Sequence, residues 1–61
     1  MDELAIKVKA LRKMKHWSQE DLAREIGVSL STVQRWEKGR GRPIRLARTE
    51  LEKRFKKAGL L

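Results

Sequence analysis

The side chains that usually carry catalysis are sparse in this chain of 61 residues. His16 is the single histidine and cysteine is absent, so the sequence offers neither a nucleophile paired with a base nor a set of metal ligands. Ser18 lies close to His16, but a serine directly before an amphipathic segment is typical of a helix cap. A glycine-rich phosphate loop is also absent. We therefore expect no enzymatic activity, no metal ion, no cofactor and no small-molecule ligand.

The charged side chains indicate a different chemistry, namely attraction to a polyanion. Sixteen Lys and Arg residues against eight Asp and Glu residues give a formal net charge of +8. Such a balance favours nucleic acid or an anionic membrane surface. Residues 1–17 carry five bases and two acids (+3), residues 18–37 two bases and four acids (−2), and residues 38–61 nine bases and two acids (+7). The flanks are therefore basic, and the middle of the chain is not.

Glycine and proline divide the sequence into four segments, each with apolar residues at helical spacing. The segments cover about 2–15, 18–26, 30–38 and 43–58. Their apolar stripes contain Leu4, Val8 and Leu11; Leu22, Ala23 and Ile26; Val33 and Trp36; and Ile44, Ala47, Leu51, Phe55 and Ala58. No stretch alternates with the period of a strand, no apolar run could span a membrane, and the start does not resemble a signal peptide. The pattern predicts a single all-α domain over residues 1–61, located in the cytoplasm.

The second and third segments carry the most specific pattern. Ser18 and Asp21 have the spacing of a capping box, and Ser29 is placed to cap the third segment. Between the two segments lies the short turn Gly27-Val28-Ser29, and such a turn joining two short helices is typical of a helix-turn-helix. The residues expected to build this motif are Ala23, Gly27, Val33 and Trp36. Ala23 permits close approach of the helices, and Gly27 permits the backbone conformation of the turn.

The stretch from Trp17 to Gly39, WSQEDLAREIGVSLSTVQRWEKG, resembles the phage-repressor/Cro-like (XRE-type) helix-turn-helix DNA-binding family. This resemblance implies a compact, lambda-repressor-like bundle of four or five helices, with the motif at about residues 18–38. It also implies that a recognition helix, about residues 30–38, enters the major groove of double-stranded DNA. Proteins of this family bind as homodimers to two-fold symmetric operators, with half-sites one helical turn apart.

The resemblance further implies roles for individual residues. The expected base contacts come from Leu30, Ser31, Thr32, Gln34 and Arg35. Arg35 is the strongest candidate, because a guanidinium can bind O6 and N7 of guanine together. Leu30 has two alternatives, since it could touch a thymine methyl group or simply cover the adjoining core. Gln19 matches a phosphate-contacting position, and its side chain could also brace the recognition helix.

Two further expectations concern charged residues outside the recognition face. Arg12 and Glu37 match a pair that forms an internal salt bridge in some family members; the alternative is two unrelated surface charges. Lys38, Arg40 and Arg42 are expected at phosphates. The sequence Arg-Gly-Arg-Pro at 40–43 also resembles the core of an AT-hook, which would place these arginines in an A·T minor groove. The alternative is an ordinary basic loop between two helices.

Two functions from different classes follow from these observations. The first is a sequence-specific transcriptional regulator, a repressor, bound to the nucleoid in the cytoplasm. The second is a protein–protein adaptor or coactivator that uses the same helical bundle. Arg35 and the Arg-Gly-Arg loop favour the first function. Exposed apolar residues in the C-terminal part, Leu46, Leu60 and Leu61, would favour a protein partner, which could be a second copy of the chain.

Overall fold

The computed structural model describes residues 2–60, so Leu61 of the expected C-terminal patch lies outside the described residues. The described residues form four helices and no strand. The helices are α1 (Glu3–Lys15), α2 (Gln19–Ile26), α3 (Leu30–Glu37) and α4 (Arg45–Lys57). The predicted all-α helix-turn-helix fold is confirmed. Within residues 2–60, no helix is both long and apolar enough to cross a membrane.

The helix N-termini follow from local side-chain chemistry. The Ser18 hydroxyl accepts a bond from the Asp21 backbone N–H at 3.0 Å, and the Asp21 carboxylate accepts one from the Ser18 backbone N–H at 2.8 Å. At the start of α3, Ser29 Oγ accepts from the Thr32 backbone N–H at 3.2 Å. Asp2 caps α1 in the same way, through a bond from the Leu4 backbone N–H at 2.9 Å. These acceptors satisfy backbone donors that have no partner inside the helix.

Three of the helices end in the same hydrogen-bonded turn, the Schellman motif, in which a residue in the left-handed conformation reverses the chain. That residue is His16 after α1, Gly39 after α3 and Gly59 after α4, with φ values of 59°, 70° and 75°. After α3, the Arg40 N–H donates to the Arg35 carbonyl at 2.9 Å and the Gly39 N–H donates to the Trp36 carbonyl at 3.1 Å. The chain therefore turns back along α3.

A single apolar core holds the bundle together. Its largest fully buried side chains are Leu11 and Val8 from α1, Leu22 from α2, Val33 and Trp36 from α3, and Leu51 from α4. Helix α3 packs against α1 and α2, and α4 also packs against α1 and α2. One face of α3 is therefore held by the core, and its opposite face is free to contact a partner.

The start of the fourth helix differs from the prediction. The helix begins at Arg45, and Pro43 and Ile44 belong to an extended segment, with Ile44 at φ −68° and ψ 166°. The reason is that the chain must cross from the end of α3 to the site where α4 packs, and extended residues span that distance better than helical ones. Ile44 is consequently 73% exposed and does not join the buried stripe. Leu60, by contrast, is half-buried against the core.

Candidate nucleic-acid interface

The turn between α2 and α3 is stabilised by the backbone and by buried side chains. Gly27 has φ 89°, and the N–H groups of Gly27 and Val28 both donate to the Ala23 carbonyl, at 2.8 and 2.9 Å. Ala23, Val33 and Trp36 are buried where the two helices meet the rest of the bundle. The small side chain of Ala23 permits this close approach, so the turn sets a fixed angle between α2 and α3.

An ionic network fixes the C-terminal end of α3. Glu37 is 8% exposed and accepts two bonds from Arg12, from Nε to Oε2 at 2.6 Å and from Nη2 to Oε1 at 3.0 Å. Gln19 Nε2 donates to Glu37 Oε1 at 3.0 Å. Arg12 also donates from Nη1 to the Trp17 carbonyl at 3.2 Å. Because these residues come from α1, α2 and α3, the network connects the three helices at one point.

The same contacts determine the protonation of Glu37. Burial alone raises the pKa of this carboxyl group, since a buried charge loses its hydration. The hydrogen bonds from Arg12 and Gln19, together with the positive charges of Arg12 and Lys9, outweigh burial and bring the pKa of Glu37 below its ordinary value. In turn, the bonds to Glu37 raise the pKa of Arg12. The pair is therefore ionised at neutral pH.

The free face of α3 carries the residues expected to contact bases. Ser31, Gln34 and Arg35 are exposed, whereas Leu30 and Thr32 are half-buried. The hydroxyls of Ser31 and Thr32 gather around the Ser29 cap, with Oγ of Ser29 at 3.1 Å from Ser31 Oγ and at 2.8 Å from Thr32 Oγ1. The hydroxyl groups thus make this face polar at its N-terminal end.

Gln34 and Arg35 lie further along this face. Gln34 Nε2 approaches Gln19 Oε1 at 3.5 Å, so the exposed face is linked weakly to the network below it. The guanidinium of Arg35 lies beside Gly41 in the loop that follows α3. Among residues 2–60, no ion pair holds Arg35 to a carboxylate. Its charge is therefore available to an external acceptor.

Basic residues continue from α3 into the loop before α4. Lys38, Arg40 and Arg42 are all exposed. The chain turns at Gly39, where the Arg40 N–H donates to the Arg35 carbonyl at 2.9 Å, so the start of the loop lies against the last turn of α3. The basic residues expected at phosphates or in the minor groove, Lys38, Arg40 and Arg42, thus follow Arg35 closely along the chain, and all are exposed.

Comparison with known protein families identifies the family of this chain. A family model described as helix-turn-helix matches residues 8–48, which include the C-terminal part of α1, all of α2 and α3, and the start of α4. The chain belongs to the Cro/C1-type helix-turn-helix family. Members of this family are DNA-binding transcription regulators, and this chain is accordingly a DNA-binding regulatory domain. Comparison with curated proteins and with solved structures gave no significant match.

In this helix-turn-helix protein, two of the three acidic residues of α2, Asp21 and Glu25, lie beside arginines. Glu25 Oε1 accepts from Arg54 Nη1 at 3.0 Å, and the Glu25 carbonyl lies 3.4 Å from Arg54 Nη2. Asp21 lies 3.4 Å from Arg24 in addition to capping α2. The Arg54–Glu25 pair connects α4 to the end of α2. The sequence gave no signal for it, because the partners are 29 residues apart and follow no helical spacing.

Proposed function

We propose that this protein is a sequence-specific repressor that inserts α3 into the major groove of double-stranded DNA. The observation that supports this proposal is the arrangement of Arg35. The Arg12–Glu37 pair connects the C-terminal end of α3 to α1. The guanidinium of Arg35 is exposed and lies beside Gly41 in the basic loop 38–42. A rigid helix with an exposed guanidinium is suited to base recognition, because the donor geometry is retained on binding.

The proposed base contacts come from the free face of α3: Leu30, Ser31, Thr32, Gln34 and Arg35. Arg35 binds guanine through O6 and N7, and Gln34 is suited to adenine N6 and N7. Replacement of Arg35 with Ala is expected to cost about 1–3 kcal/mol of binding free energy and to relax specificity at one base pair. A uniform loss over all sequences would contradict its role as a base reader.

The proposed phosphate contacts come from Gln19 and Lys38. Gln19 uses one N–H of its amide for Glu37, so the second N–H is available to a phosphate oxygen. The side chain can thus contact DNA and brace the recognition helix at once. Such contacts set the position of the protein and its salt dependence without specifying sequence.

We further propose that Arg40 and Arg42 enter the minor groove next to the major-groove site. Both are exposed, lie in the loop between α3 and α4 and flank a glycine, which permits close approach to DNA. A narrow A·T minor groove has an enhanced negative potential that attracts arginine. Arg40→Ala or Arg42→Ala should weaken binding to sites with A·T flanks more than to sites with G·C flanks. Equal losses at both kinds of site would instead assign these arginines to phosphates.

The proposal also includes repression of transcription and binding of DNA as a homodimer. Repression by steric occlusion requires only that the protein occupy its operator. Two copies related by two-fold symmetry would occupy two half-sites. Leu46 on α4 is 78% exposed, more than any other large hydrophobic residue among residues 2–60, and it is the proposed contact between the copies. Such a repressor acts in the cytoplasm on the nucleoid.

The first experiment is selection of bound duplexes from a random DNA pool at near-physiological salt. Enrichment of a two-fold symmetric site with half-sites about 10 base pairs apart supports a homodimeric, sequence-specific regulator. A reporter with this site in its promoter then distinguishes repression from activation. No enrichment, together with little binding at low salt, would contradict the proposal and would favour the protein-adaptor function.

A further inference from the structure

One side of α1 is apolar although it does not join the core. Among residues 2–60, four large hydrophobic residues are exposed, and two of them, Ile6 (49%) and Met14 (52%), belong to α1. The half-buried Ala10 lies midway between them. Residues four positions apart form a ridge along a helix, so Ile6, Ala10 and Met14 make one apolar strip, about 12 Å long, which we call the α1 ridge. Single exposed apolar residues are common on protein surfaces, but three aligned ones are a candidate interaction site.

The α1 ridge lies on the side of α1 that is turned away from the rest of the bundle. Helix α1 packs against α3 and α4, and its buried residues are Ala5, Val8 and Leu11. Residues two positions apart in a helix point about 160° apart, so Ile6 and Ala10 lie nearly opposite the fully buried Val8. Because α3 contacts the buried side of α1, the ridge stays accessible when the free face of α3 binds DNA.

Positive charge borders the α1 ridge. Lys9 and Lys13 are exposed on one flank of it, and within residues 2–60 neither makes an ion pair. Near the N-terminal end of the ridge, Glu3 lies 4.0 Å from Lys7, so this carboxylate already has a cation beside it. The uncompensated charge beside the ridge is thus positive. Its complement is a partner that carries carboxylates next to an apolar strip.

We propose that the α1 ridge binds an acidic amphipathic helix of a partner protein. The apolar side chains of that helix pack over Ala10, whose small side chain permits close approach, and contact Ile6 and Met14 on either side. Its carboxylates pair with Lys9 and Lys13. This contact goes beyond the proposed function and does not depend on how α3 recognises DNA, so one molecule holds the partner and the DNA at the same time.

Two other occupants fit the α1 ridge less well. In a pair of antiparallel α1 helices related by a two-fold axis, like flanks meet, so Lys9 and Lys13 of each copy would face those of the other. Each copy also has a formal net charge of +8. A helix that lies on a membrane presents its broad apolar face to the lipid, whereas the broad apolar face of α1 is buried in the core.

The experiment starts with selection against the purified chain from a display library of helical peptides that have one randomised face. Enriched peptides should carry Leu or Ile at helical spacing beside Asp and Glu, and calorimetry then measures their affinity. About half of each large ridge side chain is exposed, so Ile6→Gln and Met14→Gln should each weaken binding roughly 4- to 12-fold. Lys9→Gln combined with Lys13→Gln should weaken it about 2- to 25-fold and lower its salt dependence.

Matched substitutions elsewhere on the surface are the controls. Ile44→Gln removes an exposed apolar side chain outside α1, and Lys56→Gln combined with Lys57→Gln removes the same charge from α4. These controls should change the affinity for the peptide less than about twofold, because the residues lie away from the ridge. Thermal unfolding establishes that every variant folds. Selection that enriches no peptide, or only peptides without carboxylates, overturns the proposal, as does an equal loss of affinity in Ile44→Gln.

Three further measurements use the double variant Ile6→Gln with Met14→Gln to test the other occupants. A wild-type dimer in sedimentation equilibrium that the double variant abolishes would assign the ridge to a second copy. Binding to phosphatidylglycerol vesicles that it abolishes would assign the ridge to a membrane, and a lower affinity for DNA would assign it to DNA. Each of these results overturns the proposal. An unchanged affinity for DNA supports it, and none of these outcomes decides whether α3 reads bases.

Discussion

Replacing Glu37 with Ala should destabilise the protein severely, because the carboxylate supports three hydrogen bonds. Two of them come from Arg12 and one from Gln19. A bond to a charged group contributes about 1.5–3 kcal/mol on its own, and the contributions of bonds in one network do not add. The Glu37 side chain is 6% exposed and that of Arg12 is 25% exposed, so water can partly rehydrate the cation left behind. We therefore expect a loss of about 2–4 kcal/mol, slightly below the range for fully buried pairs.

Urea unfolding at neutral pH measures this loss. A domain of this size has a free energy of unfolding of about 3–9 kcal/mol, so the variant should lose a large part of its stability. With a urea dependence of about 1 kcal/mol per molar, the unfolding midpoint should fall by about 2 M or more. The control is the double variant Arg12→Met with Glu37→Leu, which removes both charges and should recover most of the loss. A loss below about 1 kcal/mol for Glu37→Ala, or no recovery in the double variant, would refute this account.

The same pair predicts how stability depends on pH. The folded-state pKa of Glu37 is lowered, so its stabilising contribution is fully present above the unfolded value of about 4.3. The contribution is then lost as the pH falls through the folded-state pKa. Glu37→Gln has no titrating group at this position, so its stability should fall less over the same acidic range. Parallel curves for the wild type and Glu37→Gln below pH 5 would contradict the assignment.

Three other substitutions test separate parts of the molecule. His16→Gly should raise the free energy of unfolding by about 0.5–1 kcal/mol, since glycine adopts the left-handed conformation without the penalty of a Cβ atom; a lower melting temperature would contradict this. Arg54→Ala should cost less than about 1 kcal/mol in urea unfolding, because its pair with Glu25 is partly exposed. Lys38→Ala should weaken binding to all DNA sequences alike and reduce the salt dependence of affinity by about one phosphate contact, whereas a loss confined to one base pair would make Lys38 a base reader.

The features that the sequence predicted well are those determined by neighbours along the chain. The capping box of Ser18 and Asp21 and the cap at Ser29 depend on residues three positions apart, so their spacing specifies the geometry. The left-handed Gly27 follows for the same reason. Local patterns were therefore sufficient to place α2, the turn and α3, on which the family resemblance also rests.

The end of α1 and the start of α4 show where local patterns are insufficient. His16 adopts the left-handed conformation that the sequence would assign to glycine or asparagine, because Trp17 must turn back onto the core. Pro43 is compatible with the first turn of a helix, yet the path from α3 requires it and Ile44 to be extended. In both places the packing of the bundle overrides the preference of the residue.

Residues 18–37 carry a net negative charge although they contain the proposed DNA-binding helix. Contacts between distant parts of the chain explain how the two are compatible. Counted along the sequence, this segment has a net charge of −2, which would disfavour contact with DNA. In the folded protein, Glu37 is paired with Arg12 of α1 and Glu25 with Arg54 of α4, so two acids of the motif are paired with cations of the basic flanks. The charged side chains that α3 and the following loop expose are all basic: Arg35, Lys38, Arg40 and Arg42. The sign of the surface is therefore set by which charges the fold pairs, and pairing across more than 20 residues cannot be deduced from local spacing.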